Sequence, residues 1–565
     1  MTWRIGALIV FFISLYGVLV FKLFTLQVEK GTWYVTQAQS REQATGNIFP
    51  SRGNIYFTDR SGNRIPISLN KEYPLVYAVP KELLSEEVRG NKTVRSVAEA
   101  VAPLIDESPE KLLARLSRKN DEYELLAAKA SPRIVSEIKD LRIAGIYTKA
   151  EEFRFYPFGT LGAHLIGFAS SPNEREKNTV GPALIGRYGI EQIFDRTLRG
   201  VPGKISGSRV TPPEDGGDVH LTIDRTVQAE GEDVLADLME RHKAAGGTFI
   251  VQEPNTGRIL AMGSAPTFDP NTFSESNVGN FLNPAVQGVY EPGSIFKVIT
   301  MAAGIDSGKV KPETTYVDKG SVTLNGRTIT NWDLATRGAY GTMTMTGVIE
   351  HSINTGAVFA EQRTGHDLFY NYLIAFGLND ITGVHLPGEV RGSLRNLLRG
   401  REIDFATASY GQGVSVTPLA LINSVSAIAN GGLVMKPLIL AGEKPEALRR
   451  AIKAETAKTI AEMMTSAVVK NKLAAISNYT IAGKTGTAFV PNFAAGGYTN
   501  DVINTFIGFA PASNPKFTIL IKLDRPAGSP LAGATVVPAF RRYAQFLLNY
   551  FDISPDSVTM GNEGQ

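Results

Sequence analysis

The chain has 565 residues, 43% hydrophobic and 20% charged. That length allows roughly two to four domains, and the composition excludes a disordered polyelectrolyte, a collagen-like repeat and a multi-span transporter. Lys and Arg number 58 against 55 Asp and Glu, a formal charge of +3 without a basic run, so no nucleic-acid partner is signalled; the absence of cysteine excludes disulfides, thiolate metal sites and a cysteine nucleophile.

Residues 5–21 carry no charge, and the apolar character resumes after Lys22 with Leu23, Phe24 and Leu26. A helix over 5–26 rises about 33 Å, enough to cross a bilayer core with Lys22 snorkelling to the interface. Leu26-Gln-Val-Glu-Lys30 offers no pair of small residues at a cleavage spacing, so this reads as an uncleaved anchor. A cytoplasmic stub over 1–4, a transmembrane segment over 5–26 and a large portion outside the cytoplasm are expected. Residues 31–66 look extended and turn-rich, with Ser68 in a loop just beyond. From there to about 215, strands and short helices mix. Ser108-Pro109 and Ser131-Pro132 read as N-cap plus first-turn proline. Thr211-Pro-Pro-Glu-Asp-Gly-Gly217 reads as a linker. A helix follows from about Arg225, with Val227, Val234, Leu235, Leu238 and Met239 on one face.

The pattern then becomes a denser α/β one. Short strands over 248–252 and 258–262 flank Glu253-Pro-Asn-Thr-Gly257, a hairpin signal, and strand-like runs return at 480–482, 506–509 and 517–523. Strands from both ends enclosing a helical middle predict one domain over 240–552, with an antiparallel sheet built from its first and last segments. A polar tail over 553–565 closes the chain.

A nucleophilic serine needs a base, and a lysine one helical turn away can serve. Ser68, Ser108, Ser136, Ser294 and Ser513 all have lysine three residues on. Ser108 is a cap, Ser513 sits in a turn, Ser68 in a loop, and Ser136 lies on a charged, solvated helix. Ser294 opens an almost wholly apolar helix, where free N–H groups favour developing negative charge and burial lowers the pKa of Lys297. A capping serine beside a snorkelling lysine is the bland alternative. Two segments favour the sharper reading. In Ser352-Ile-Asn354, within a predicted helical region, a tight turn would bring hydroxyl and amide to one pocket. His351 would point about 100° away on a helix, so it is no triad base. Lys484-Thr485-Gly486-Thr487 lies at a strand end, where lysine and threonine suit a carboxylate and glycine allows close approach of a peptide.

Ser-x-x-Lys, Ser-x-Asn and Lys-Thr-Gly in this order resemble the signature of penicillin-binding proteins and serine β-lactamases. Tyr290-Glu-Pro-Gly-Ser-Ile-Phe-Lys297, Pro387-Gly-Glu-Val-Arg391 and Ser409-Tyr-Gly-Gln-Gly413 resemble the penicillin-binding transpeptidase domain. Arg52-Gly53, Asp59-Arg60, Arg154 to Pro157, Ala163-His164 and Gly189-Ile-Glu191 resemble the pedestal of the class B, monofunctional subgroup. Residues 54–58 make the spacing between Arg52-Gly53 and Asp59-Arg60 longer than the usual family pattern.

The resemblance implies an α/β transpeptidase domain, β-lactamase-like, preceded by an elongated α+β pedestal over 31–215 and the membrane helix. It implies that Ser294 attacks a D-Ala–D-Ala stem peptide of peptidoglycan and that Lys297 is the acylation base. Ser352 would relay a proton and Asn354 would orient Lys297 and the substrate amide. Lys484 and Thr485 would hold the terminal carboxylate, with Gly486 and Thr487 beside them on the strand. The N–H groups of Ser294 and Thr487 would form an oxyanion hole. No cofactor or metal is called for. Binding of β-lactam antibiotics is implied, as is partnership with a SEDS-family glycan polymerase and division or elongation proteins at the plasma membrane. A β-lactamase would need a water-activating glutamate, and Glu389-Val-Arg-Gly392 departs from the Glu-x-x-Leu-Asn pattern. A bifunctional glycosyltransferase lacks room and motifs, and a β-lactam sensor or silent structural protein lacks a signalling domain or a broken motif. The short pedestal and the lack of appended modules favour septal over lateral-wall synthesis.

Overall fold

The fold is described from a computed structural model covering residues 16, 45–90, 92–172, 184–206, 209–492 and 495–557. The 1–4 stub and, Tyr16 apart, the 5–26 span lie outside the described residues, as do residues 558–565 of the tail. Among the described residues no helix is long and apolar enough to cross a membrane.

Contacts divide the chain into two units: Met1–Gly53 with Arg196–Gly217, and Asn54–Asp195 with Asp218–Gln565. The first is organised around an antiparallel sheet of Thr45–Ile48, Gly203–Ser206 and Arg209–Thr211. The segment read as a linker is pinned here, because Val201 and Glu214 exchange N–H···O bonds of 2.9 Å.

In the second unit, β1 (Ile55–Thr58), β2 (Arg64–Ala78), β3 (Glu124–Ala127), β4 (Ile146–Phe155) and β5 (Val219–Asp224) form a sheet of order β5-β1-β2-β3, with β4 also paired to β2. The residues of the long spacing, 54–58, thus mostly build a strand. The turn after it is intact: Asp59 Oδ1 accepts from the N–H groups of Ser61 and Asn63 at 2.8 and 2.9 Å. Ser68 is not in a loop. It lies buried within β2, and its Oγ donates to Glu191 at 2.9 Å, beside the buried Arg154–Glu191 ion pair. Both proline-led helices form as read, with Ser108 and Ser131 Oγ accepting from Lys111 and Ile134 N–H at 3.3 Å.

Helix α1 (Arg225–His242) starts where Asp224 accepts from the N–H groups of Thr226 and Val227. The strands β6 (Gly246–Gln252), β7 (Ile259–Ala265), β8 (Ala482–Pro491), β9 (Tyr498–Ala510) and β10 (Phe517–Asp524) then form one antiparallel sheet of order β7-β6-β10-β9-β8. First and last segments meet as expected: Phe249 of β6 is in register with Ile521 of β10. Helix α1 and the C-terminal helix Val536–Tyr550 cover one face, burying Val234, Leu235, Phe249, Phe540, Tyr543 and Leu547. The helical middle, including Pro418–Ala429 and Ala454–Asn471, packs on the other. This leaves β8 as an edge strand beside the short turn that leads into the buried helix α2 (Phe296–Asp306).

Candidate active site

Pro292 in the helical region and Gly293 at φ 59° turn the chain into a single 3-10 turn, Gly293–Ile295, that runs directly into α2. A positive φ is what glycine permits without strain. Space requires glycine as well. A Cβ on Gly293 would stand 3.0 Å from Thr487 O, and one on Gly411 would stand 2.2 Å from Gly293 O. The serine turn is therefore pressed between the 410–413 loop and edge strand β8, with Gly293 N–H donating to Gly411 O at 3.1 Å. One turn on, Lys297 is fully buried and its Nζ stands 3.0 Å from Ser294 Oγ.

Ser352 reaches the same amine from a break in the helical region. Helix α3 (Met345–His351) ends at Ser352 with φ 58° and ψ 45°, Ile353 is extended, and α4 (Asn354–Thr364) begins afresh. The left-handed residue aims both polar groups of Ser352 inward. Lys297 Nζ donates to the Ser352 carbonyl and lies 3.1 Å from its Oγ. From the other side Lys484 Nζ, on β8, donates to Ser352 Oγ at 2.9 Å and to Thr485 O at 3.0 Å. Lys-Thr-Gly thus lies inside an exposed-edge strand, not at a strand end. Ser294, Lys297, Ser352 and Lys484 form one continuous polar chain.

Two lysines this close cannot both hold protons cheaply. Burial pushes the Lys297 amine well below its ordinary range, the neighbouring Lys484 charge pushes the same way, and the Asp333 carboxylate opposes both. Burial lowers Lys484 to about 7. Burial thus favours the free amine at both lysines, and at Lys297 the Lys484 charge adds to it. A hydroxyl beside a neutral buried amine at a helix start is an arrangement for acyl transfer.

Asn354 opens α4, but its Nδ2 donates to Thr330 O at 2.8 Å; among the described residues it has no hydrogen bond to Lys297. Thr485 Oγ1 lies 3.4 Å from Lys484 Nζ. A Cβ on Gly486 would stand 2.8 Å from Pro292 O, so glycine lets strand and serine turn touch. Thr487 Oγ1 accepts from Ala532 N–H at 3.3 Å. Glu389 is engaged elsewhere, accepting from Thr382 N–H at 2.8 Å and Gly383 N–H at 3.1 Å.

Sequence reasoning passed over the buttress beneath the α3–α4 break. Buried Asp318 accepts from Thr355 Oγ1 at 2.5 Å, Asn331 Nδ2 at 3.0 Å and Tyr340 N–H at 2.8 Å. Asn331 Oδ1 in turn accepts from Thr355 N–H at 3.1 Å. These residues follow no short motif. Asp318 and Asp333, the two acidic residues between Glu313 and Glu350, were the only hint.

Residues 247–544 match the family described as the penicillin binding protein transpeptidase domain, and residues 47–235 match the penicillin-binding protein dimerisation domain. "Stage V sporulation protein D" of Bacillus subtilis is 31% identical, over 93% of this chain and 83% of its own length. "Peptidoglycan D,D-transpeptidase FtsI" of Escherichia coli K12 is 29% identical over 100% of this chain and 94% of its own. Among solved structures, a peptidoglycan synthetase from Bifidobacterium adolescentis aligns with a TM-score of 0.68 at 27% identity, covering 91% of this chain and 98% of that one. Penicillin Binding Protein 2X from Streptococcus thermophilus shares the fold, with a TM-score of 0.72 at 23% identity over 90% of this chain and 81% of its own.

Proposed function

The chain belongs to the class B penicillin-binding proteins, serine-type peptidoglycan D,D-transpeptidases, and from that premise we propose that Ser294 is its nucleophile. The carrying observation is the 3.0 Å approach of a buried lysine amine to Ser294 Oγ. In this reading neutral Lys297 takes the Ser294 proton as Oγ bonds to the penultimate D-Ala carbonyl carbon of a donor stem peptide. The oxyanion faces the backbone N–H groups of Ser294 and Thr487. Ser352 Oγ passes the proton to the departing D-Ala nitrogen as the C–N bond breaks. Lys484, protonated, and Thr485 hold the terminal carboxylate, and Gly486 keeps strand and serine turn in contact. Asn354 orients the substrate amide from the start of α4. An acceptor stem-peptide amine then attacks the ester and frees Ser294, leaving a cross-link. A β-lactam enters by the same first step and stays.

The pedestal is assigned to 31–215, the transpeptidase domain to 240–552 and the tail to 553–565, with a stub over 1–4 and an anchor over 5–26. The apolar run of 5–26 supports a single-pass plasma-membrane protein with its catalytic domain outside the cytoplasm. Septal wall synthesis with a SEDS-family glycan polymerase is the assigned role, supported by near full-length similarity to FtsI. Depletion that gives filaments supports it, whereas rounded cells would move the role to the lateral wall. The nucleophile is tested by labelling with a fluorescent penicillin. Ser294→Ala is expected to abolish labelling, and persistent labelling would sink the assignment.

A further inference from the structure

Glu291 stands three residues before Ser294, and neither the roles implied by the resemblance nor the proton path includes it. Its two oxygens are both engaged, by groups from two different elements. Oε1 accepts from Gly413 N–H at 3.0 Å, and Oε2 accepts from Tyr498 OH at 3.0 Å. Gly413 belongs to the loop pressed on one side of the serine turn. Tyr498 opens strand β9, whose partner β8 presses on the other side. No lysine, arginine or histidine forms an ion pair with Glu291 among the described residues, so this carboxyl is held by neutral donors alone.

The geometry around it is tight. Gly411, Gly293 and Thr487 stack backbone on backbone, so the turn carrying Ser294 has loop on one side and strand on the other. Tyr290 N–H and O pair with Val416 O and N–H at 3.0 Å, fixing the loop's far end. Besides Glu291, the loop is fastened to this segment by the Tyr290–Val416 pair and the Gly293–Gly411 bond, and the hairpin by packing and by Thr505 Oγ1, 3.5 Å from Tyr290 OH.

We propose that Glu291 is a positioning residue: its carboxyl straps the 411–413 loop and the β8–β9 hairpin to opposite sides of the serine turn, and so sets where Ser294 Oγ lies relative to the strand that receives substrate. Burial raises the pKa of this carboxyl and its two hydrogen bonds oppose the rise. A glutamine keeps an acceptor for Gly413 N–H, and its amide can donate to the Tyr498 oxygen. The strap therefore tolerates Glu291→Gln, whereas a residue acting through its charge does not.

The inference rests on Ser294 being the nucleophile. The experiment measures the second-order rate of acylation by a fluorescent penicillin on the full-length protein, per labelled site, with wild type and Ser294→Ala as controls. Labelling of Ser294→Ala overturns the nucleophile, and with it the premise. With the nucleophile upheld, Glu291→Ala is expected to lower the rate roughly 10-fold to 100-fold, the scale of a small misplacement of reacting groups. Glu291→Gln is expected to stay within about threefold of wild type, and Tyr498→Phe to lose about three- to tenfold, since one neutral hydrogen bond is removed. The double variant Glu291→Ala/Tyr498→Phe is expected to be no slower than Glu291→Ala alone. Wild-type acylation by Tyr498→Phe together with folded Glu291→Ala would overturn the strap, and so would Glu291→Gln as slow as Glu291→Ala. Because the rate is read per labelled site, a loss confined to yield or thermal midpoint counts against it.

Discussion

Lys297 and Lys484 show how a single side chain trades stability for chemistry. Both are buried, and each has its amine pKa lowered, Lys484 to about 7. In the unfolded chain a lysine binds its proton up to about 10.4. Between that value and about 7 the unfolded state holds more protons than the native one, so stability rises with pH across this window. It follows that Lys484→Met, which keeps volume and removes the buried amine, stabilises the protein by roughly 1–3 kcal/mol at pH 7. Urea unfolding at two pH values checks this, because the gain shrinks as pH approaches 10. The same variant loses acylation. A second consequence concerns rate. If Lys484 must be protonated to hold a carboxylate, acylation by penicillin falls as pH rises through about 7. Lys484→Arg, with a group that keeps its proton, removes that descending limb while lowering the maximum.

Helix α4 carries Asn354 at its start, two residues past Ser352, and a different liability two turns in. Glu361 is fully buried, and among the described residues neither carboxyl oxygen has a hydrogen-bond partner. His366 Nε2 stands 3.7 Å away, stacked on Phe405, and Glu402 adds a like charge. Burial, then Glu402, raises the Glu361 pKa to about 8. An acid with a raised native pKa favours the protonated native state, so stability is full below about pH 4.5 and falls as pH rises toward 8. The slope approaches about 1.4 kcal/mol per pH unit. Glu361→Gln is therefore expected to flatten this part of the stability curve, as measured by denaturant unfolding between pH 5 and 8, and to leave penicillin acylation intact. Elements also show what a sequence reveals. Ser-x-x-Lys at 294 stood out from four decoys because its helix is apolar throughout, and burial did follow. The break at Ser352 was legible only as a conditional, since nothing local in His351-Ser-Ile-Asn demands a left-handed residue; the tertiary bonds to Lys297 and Lys484 supply the reason. Strand β2 was misread near Ser68 because Pro66, Asn70 and Pro74 imitate a loop. Its pairing with β4 and the Glu191 contact lie far off in sequence and override that local signal.

The second unit depends on chain ends meeting. Strands β6 and β7 come from early in the catalytic region, β8 to β10 from late, and the helix Val536–Tyr550 seals the face they share with α1. A chain ending before Val536 keeps every motif residue yet leaves Phe249, Phe506 and Ile521 uncovered. Such a chain is expected neither to fold nor to react with penicillin, and Phe540→Ala alone is expected to cost about 3–5 kcal/mol by thermal or denaturant unfolding. The joining of first and last segments in one sheet was legible because apolar runs at both ends framed a helical middle, whereas strand lengths were underestimated. Polar residues such as Thr505 and Lys522 sit in β9 and β10, where ladder pairing outweighs local pattern. The edge position of β8 has a consequence for biosynthesis. Ser294 and Lys297 are translated long before Lys484, and the site is complete only when the late strand docks against the serine turn. Until then no Lys484 faces Ser352, and a nascent chain is expected to be blind to antibiotic. The target comes into being in the last act of folding, when the closing strand arrives.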